Sequence, residues 1–175
     1  KLATDQEVFY PLYRLEEAGY KVDVAVKNKE TVFGEKGIRI VPTCNIPVHQ
    51  VGEHQNWSIL ILPGGAKCME YMRQEYDVIQ YIKAFYQTGG VIGSICHAAQ
   101  LLISAGLVRD RFISGYYSIK DDINNAGGKY LDLPYVKDGR IVTSPHYKHL
   151  GPWMKAVLET ARTPRGVGEG DFGVE

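Results

Sequence analysis

Short β-rich runs alternate with amphipathic stretches along the chain. Leu12, Leu15 and Ala18 recur at helical spacing over residues 8–19, and Gly19 stops the run. KVDVAV (21–26) then alternates as a strand does. Residues 31–41 read as an extended excursion punctuated by Gly34 and Gly37. SILIL (58–62) is unbroken apolar sequence ending in PGG, the pattern of a strand buried on both faces. Residues 75–88 put Val78, Ile82 and Phe85 on one helical side, and Gly89–Gly90 end them. GVIGSI (90–95) predicts a small-residue strand and 98–105 a helix. Residues 112–115 read as extended, and 120–128 as a short helix with a glycine stop. YLDLPYV (130–136) and RIVTS (140–144) predict two strands around a turn at Asp138–Gly139. Residues 149–161 form the closing helix, with Pro152 tolerable in its first turn.

Strands alternating with helices predict an α/β domain over 1–160 with substantial parallel content. Residues 161–175 are Gly-rich and acidic, and are expected to be a flexible tail or to lie on a partner. The first helix begins almost at residue 1, whereas open α/β sheets ordinarily open on a strand. A strand and turn in front of the first residue given are therefore expected.

Charge removes some functions. Lys+Arg and Asp+Glu are both 20, so the formal net charge is zero. No basic excess exists to displace phosphate counterions or to form a polybasic membrane patch, so neither nucleic acid nor membrane is an expected partner. No apolar run reaches the length of about eighteen residues that a membrane span requires, and KLATDQEVFY does not read as a secretory signal. Cys44, Cys68 and Cys96 are widely spaced and form no CxxC motif, so a reducing, cytoplasmic setting is expected.

The chemistry concentrates in GSICHAAQ. Cys96 falls where the strand GVIGSI gives way to a helix, and unpaired N–H groups at a helix N-terminus favour an anion. Such a placement can lower a thiol pKa from about 8.5 into the range of roughly 3.5–7.5. A sharp strand-to-helix turn would be the thiol counterpart of a serine nucleophile elbow, with nearby N–H groups able to hold an oxyanion. Ala98 and Ala99 are expected to leave space beside the sulfur, and His97 could act as base or proton shuttle. The same spacing also fits a buried cysteine beside an ordinary histidine.

Five collinear motifs then matter together: DQEVFYPLYRLEEAGYKV, ILPGG (61–65), SICHAAQLLISAGLV (94–108), SIKDDINNAGGKYLD (118–132) and DGRIVTS (138–144). From Asp5 to about Leu158 the chain resembles the DJ-1/PfpI superfamily, which is itself similar to class I glutamine amidotransferases. SICH followed by Gln100 and LISAG points to the PfpI-like branch. The resemblance implies a flavodoxin-like three-layer sandwich with a mostly parallel sheet and a reactive cysteine on its elbow. It implies the nucleophile role for Cys96, the neighbouring-histidine role for His97, and for Glu7 a hydrogen bond to the thiol. It implies a third acid, Glu70, reaching the site from a neighbouring subunit, although PGGAKCME is one residue longer than the usual spacing; a solvated helix glutamate is the alternative. Gly64 and Gly65 would bring backbone N–H groups near the sulfur.

CHAAQ stands where CHGPQ is more usual, altering the first turn beside the sulfur. SPHYKH (144–149) brings His146, Tyr147 and His149 to the end of a strand, where α/β sheets place ligands. His146 could serve as a second base, and Tyr116 and Tyr117 could wall the pocket or pack in the core. No cofactor and no metal are expected. The resemblance implies a homodimer or homohexamer acting on a small electrophilic carbonyl or amide-like substrate. The chemistry would be of glyoxalase/deglycase, amidase/peptidase or hydratase type through a covalent thiol adduct. A redox-sensing or stress-protective protein with an oxidisable Cys96 is the alternative.

Overall fold

Five consecutive buried residues, Val91–Ile95, form the strand on which the molecule is built; with small or apolar side chains throughout, it offers water nothing on either face. The structure, a computed structural model, describes residues 1–46 and 57–164 and the backbone of 171–172. The elements in chain order are α1 (Asp5–Glu17), β1 (Ala25–Val26), β2 (Val32–Phe33), β3 (Arg39–Ile40), β4 (Cys44–Asn45), β5 (Ile59–Leu62), α2 (Ala66–Met72) and α3 (Tyr76–Gln87). They continue with β6 (Val91–Ile95), α4 (Ala99–Ser104), β7 (Phe112–Ile113), α5 (Lys120–Asn125), β8 (Lys129–Tyr130), β9 (Val136–Asp138), β10 (Ile141–Ser144), α6 (Leu150–Arg162) and β11 (Asp171–Phe172).

The central sheet runs β11-β9-β10-β6-β5, with β5, β6 and β10 parallel and β9 and β11 antiparallel at one side. Alternate β6 side chains face opposite layers. Ile92 packs with Ile82 and Phe85 of α3 and with Leu101 and Leu102 of α4. Val91 and Ile95 pack with Leu15 of α1 and with Trp153, Met154 and Val157 of α6. Each such side chain, when fully buried, contributes about 1.5–3 kcal/mol. Trp153 buries its ring completely and donates its indole N–H to the Val142 carbonyl at 3.1 Å, so its one polar atom is satisfied. The expected three-layer sandwich results, and the parallel register aligns the C-terminal ends of Leu62, Ile95 and Ser144 along one edge.

Several expectations shift. Of KVDVAV only Ala25–Val26 is laddered, against β4 in a separate two-stranded sheet. β5 is not buried on both faces: Leu62 is buried, but Ile59, Leu60 and Ile61 are only partly so. The reason is position. β5 is the sheet edge, and it borders a groove of about 680 Å³ whose other wall is Lys21–Ala25 and whose floor includes Val8, Leu12 and Leu15. YLDLPYV splits into β8 and β9, because Pro134 has no N–H for a ladder; its carbonyl instead accepts the Ser144 hydroxyl at 2.8 Å. The β9–β10 hairpin turns at Gly139–Arg140, one residue later than expected. The expected tail overlaps α6, which continues to Arg162. Asp171–Phe172 add an antiparallel strand beside β9, and the rest of the tail beyond residue 164 lies outside the described residues. Among the described residues, no helix is long and apolar enough to cross a membrane.

Candidate active site

Cys96 follows the last residue of β6 with φ of +61°, a left-handed conformation that is rare for a side chain with a Cβ. The chain passes at once into a 3-10 turn, Cys96–Ala98, and then α4, forming the expected elbow. The bend is possible because the facing turn has no side chains. A Cβ on Gly64 would lie 2.8 Å from the Cys96 Cβ, 2.8 Å from the Ile95 carbonyl oxygen and 2.7 Å from Glu7 Oε2. Gly65, at φ +115°, lies so close to Leu2–Thr4 that a Cβ would meet the Leu2 carbonyl oxygen at 2.6 Å. These glycines let α1, the β5–α2 turn and the elbow converge on one sulfur.

Glu7, in the first turns of α1, is completely buried. Its Oε2 accepts the Gly64 N–H at 2.7 Å, while Oε1 has no hydrogen-bond partner among the described residues. Burial pushes this carboxyl up to about 7, against the opposing pull of the Gly64 N–H and the Cys96 thiol. Burial and the Glu7 carboxylate together push the Cys96 thiol up to about 12; the N–H groups of His97 and Gly65 oppose them without outweighing them.

This corrects the expectation of a thiol acidified by a helix N-terminus. Cys96 is only 6% exposed, and the helix it enters is short. Glu7 and Cys96 instead behave as one buried pair that accepts a single negative charge near neutrality and resists a second. With the proton on Glu7, its repulsion of the sulfur becomes hydrogen-bond donation.

His97 is half-buried, and its Nδ1 lies 3.3 Å from the Cys96 sulfur. Its ring stacks on Tyr116, centroids 4.4 Å apart and planes 24° apart. Burial holds the imidazole pKa below its ordinary value, partly offset by the Glu35 carboxylate. At neutral pH it is therefore mostly an unprotonated base beside a thiol, the pairing that general-base activation of a nucleophile requires.

The structure brings Glu7, Gly64, Gly65, Cys96 and His97 together. It does not do so for every expected residue. Ala98 is fully buried in the core and opens no space beside the sulfur. His146 packs on Tyr116, their centroids 6.1 Å apart, and it is Tyr116 that stacks on His97. Its Nδ1 accepts the Lys148 N–H at 3.2 Å. Tyr117 is 38% exposed and packs on Tyr116 and His146, continuing the aromatic wall outward. Glu70 is exposed on α2, whereas Cys96 is buried at the elbow. Among the described residues, no group of three His, Cys, Asp or Glu side chains could hold a metal ion.

Two residues come to the site that the sequence did not single out. Ser118 places its hydroxyl 3.5 Å from His97 Nε2 across 21 residues of chain. Glu35 is carried by a turn that Asp5 clamps: Asp5 is 2% exposed and accepts the N–H groups of Lys36 at 2.7 Å and Ile38 at 3.1 Å. Ser118 opens the SIKDDINNAGG motif, which is its only sequence signal; nothing in the spacing ties either residue to His97.

The profile of the DJ-1/PfpI family matches residues 1–160. The chain is 32% identical over 158 residues to a protein of Thermococcus kodakarensis named a deglycase, covering 90% of this chain and 93% of that one. It is 34% identical over 147 residues to a protein of Caenorhabditis elegans named a glutathione-independent glyoxalase, covering 83% and 76% respectively. The crystal structure of Drosophila melanogaster DJ-1beta superposes with a TM-score of 0.80 at 26% identity, covering 92% of this chain and 86% of that one.

Proposed function

The chain belongs to the DJ-1/PfpI family, and on that premise we propose that it is a cysteine-dependent enzyme of glyoxalase and deglycase type, acting on small 2-oxoaldehydes. The observation that carries this reading is the Cys96 sulfur at a strained elbow, 3.3 Å from His97 Nδ1 and paired with a buried Glu7 whose pKa lies near 7.

The sulfur adds to the aldehyde carbon, and the carbonyl π electrons move to oxygen. The thiol proton passes to His97 Nδ1 and then to that oxygen, leaving a hemithioacetal and a neutral imidazole. N–H groups of Gly65 and His97, which point at the sulfur, are placed to share the charge while it sits on oxygen. The adduct carbon then yields its proton to a base and the neighbouring carbonyl carbon gains one, which converts the adduct to a thioester. Water releases a 2-hydroxy acid and restores the thiol, so the net change is addition of one water to the 2-oxoaldehyde.

Tyr116 and Tyr117 form the wall that a small planar substrate would meet. A homodimer or homohexamer, in which Glu70 of a neighbouring copy acts as a third acid, belongs to the same proposal. Its support is the exposure of Glu70 on α2.

The test is turnover of methylglyoxal set against a fluorogenic peptide, by wild type, Cys96→Ser and His97→Ala. Methylglyoxal conversion lost in Cys96→Ser supports the reading. Peptide cleavage alone, or full activity of Cys96→Ser, overturns it. Two oxygens added selectively to Cys96 by peroxide, without any turnover, would favour the redox-sensing alternative.

A further inference from the structure

The β2–β3 hairpin closes through residues 34–38, a turn whose side chains, Glu35, Lys36 and Ile38, are all exposed. The fold nonetheless fixes this turn against the entrance to α1. Asp5 accepts two of its N–H groups, the Glu35 N–H donates to the Ala3 carbonyl at 2.9 Å, and the Leu2 N–H donates to the Phe33 carbonyl at 2.8 Å. A Cβ on Gly34 would run into the Asp5 carboxylate, so the turn lies flush on the helix start. The docking buries no apolar side chain of the turn, and it places Asp5 in the interior, where a charge is costly unless hydrogen-bonded. What this anchor fixes is the position of Glu35.

We propose that Glu35 is a specificity-determining residue: its carboxylate, held at the rim of the Cys96 site, selects 2-oxoaldehydes whose substituent carries a positive charge over those carrying a negative one. This inference rests on the cysteine-dependent reading given above and adds the charge of the substrate. Glu35 exchanges no proton in this role and acts through its field alone.

Hydrogen bonds join the turn to the elbow in a short chain. Glu35 binds Ala3, the Thr4 N–H donates to the Gly64 carbonyl at 3.1 Å, and the Gly64 N–H donates to Glu7 beside Cys96. From this place the Glu35 carboxylate is felt on both sides of the sulfur: it pushes the Glu7 pKa up and offsets part of the lowering at His97. A field that reaches both groups also acts on a charged substituent of a molecule attached to the sulfur. Glu35 is only weakly engaged elsewhere. Its ion pair among the described residues is with Lys36 at 3.9 Å, an exposed pair of the kind that contributes little. The cations nearby are Lys36 and Lys148, whose ammonium lies 5.5 Å over the Tyr117 ring. Each ends a long, flexible, exposed stem, whereas the Glu35 backbone is clamped.

The test uses two methanethiosulfonate reagents with the same reactive group, one bearing ethyltrimethylammonium and the other ethylsulfonate. Their rates of modifying Cys96 are followed by peptide mass spectrometry in wild type, Glu35→Gln and Glu35→Lys. In each reaction the thiolate forms a mixed disulfide and methanesulfinate leaves, so the ratio of the two rates cancels the thiol's own ionisation. We expect the ratio of cationic to anionic rate to fall about 5-fold in Glu35→Gln, because one exposed charge acts with opposite sign on the two reagents. It should fall further in Glu35→Lys. The kcat/KM ratio for phenylglyoxals bearing para-trimethylammonium or para-carboxylate should shift the same way. A ratio left unchanged by both variants, in the labelling or in the kinetics where turnover occurs, overturns the proposal. So does a shift toward the cationic reagent, or a Cys96 that neither reagent reaches. Absence of turnover with labelling ratios that fall as expected would remove the functional reading alone, because labelling needs no catalysis.

Discussion

Replacing Glu7 by Gln removes an ionisable group from a fully buried position while keeping an oxygen to accept the Gly64 N–H. The folded carboxyl titrates at about 7, against an ordinary value of 4.5. A carboxyl whose pKa is raised by folding binds its proton more tightly in the native state. Its contribution to stability is therefore greatest at low pH and is lost as pH rises through the window from 4.5 to about 7. Integrated between pH 5 and pH 8, that shift amounts to about 2 to 3 kcal/mol lost from the wild type. Glu7→Gln should lack this loss and, at pH 8, unfold at higher temperature by very roughly 5–10 °C, given about 2–4 °C per kcal/mol for a chain of this size. Urea denaturation at the two pH values, with wild type and variant compared at each, isolates the effect from other titrating groups. If both proteins change by the same amount between pH 5 and pH 8, Glu7 is not the strained acid that its burial implies.

Other consequences follow from the same geometry. Gly64→Ala drives a Cβ against backbone and the Cys96 Cβ rather than a yielding side chain. It should cost about 1–3 kcal/mol by thermal denaturation, and should slow methylglyoxal turnover by displacing the elbow. Asp5→Ala leaves the N–H groups of Lys36 and Ile38 without their acceptor. A loss of roughly 2–4 kcal/mol is expected, with faster hydrogen exchange at those two amides; unchanged exchange would show that the clamp does not hold the turn. Because burial lowers the His97 pKa and Glu35 partly raises it, the acid limb of kcat should lie below the ordinary histidine value of 6.5. Glu35→Gln should move that limb further down, and an upward move would contradict the assignment.

The sequence made the centre of the site legible because its two reacting groups are adjacent. Cys96–His97 at the end of a small-residue apolar strand is a local pattern, and local patterns survive without coordinates. The alternation of elements likewise sufficed for an α/β sheet with parallel content, and the three-layer arrangement followed from the family resemblance. What depended on distant partners was not readable. SILIL has the composition of a central strand, yet it is an edge strand, and edge position is set by neighbours rather than by the run itself. α2 spans only Ala66–Met72, too short for a helical period to stand out. The thiol's acidity was misjudged because placement at a helix start is visible in sequence, whereas the depth to which the fold buries the sulfur is not; Glu7 itself was reached through the family resemblance rather than from spacing. Ser118 and Glu35 reach His97 only through folding, and no spacing rule connects them to it.

The most direct test of the one-charge pair is the rate at which iodoacetamide alkylates Cys96 across pH, measured by peptide mass spectrometry in wild type and Glu7→Gln. The account predicts a rate that stays low through the neutral range, because the proton lost near pH 7 leaves Glu7 and the thiol beside that carboxylate is held up to about 12. In Glu7→Gln, with the carboxylate's repulsion removed, the rise should begin at lower pH than in the wild type. A wild-type rate that climbs steadily through pH 9 as for an isolated thiol, or one whose profile is unchanged by Glu7→Gln, would contradict it.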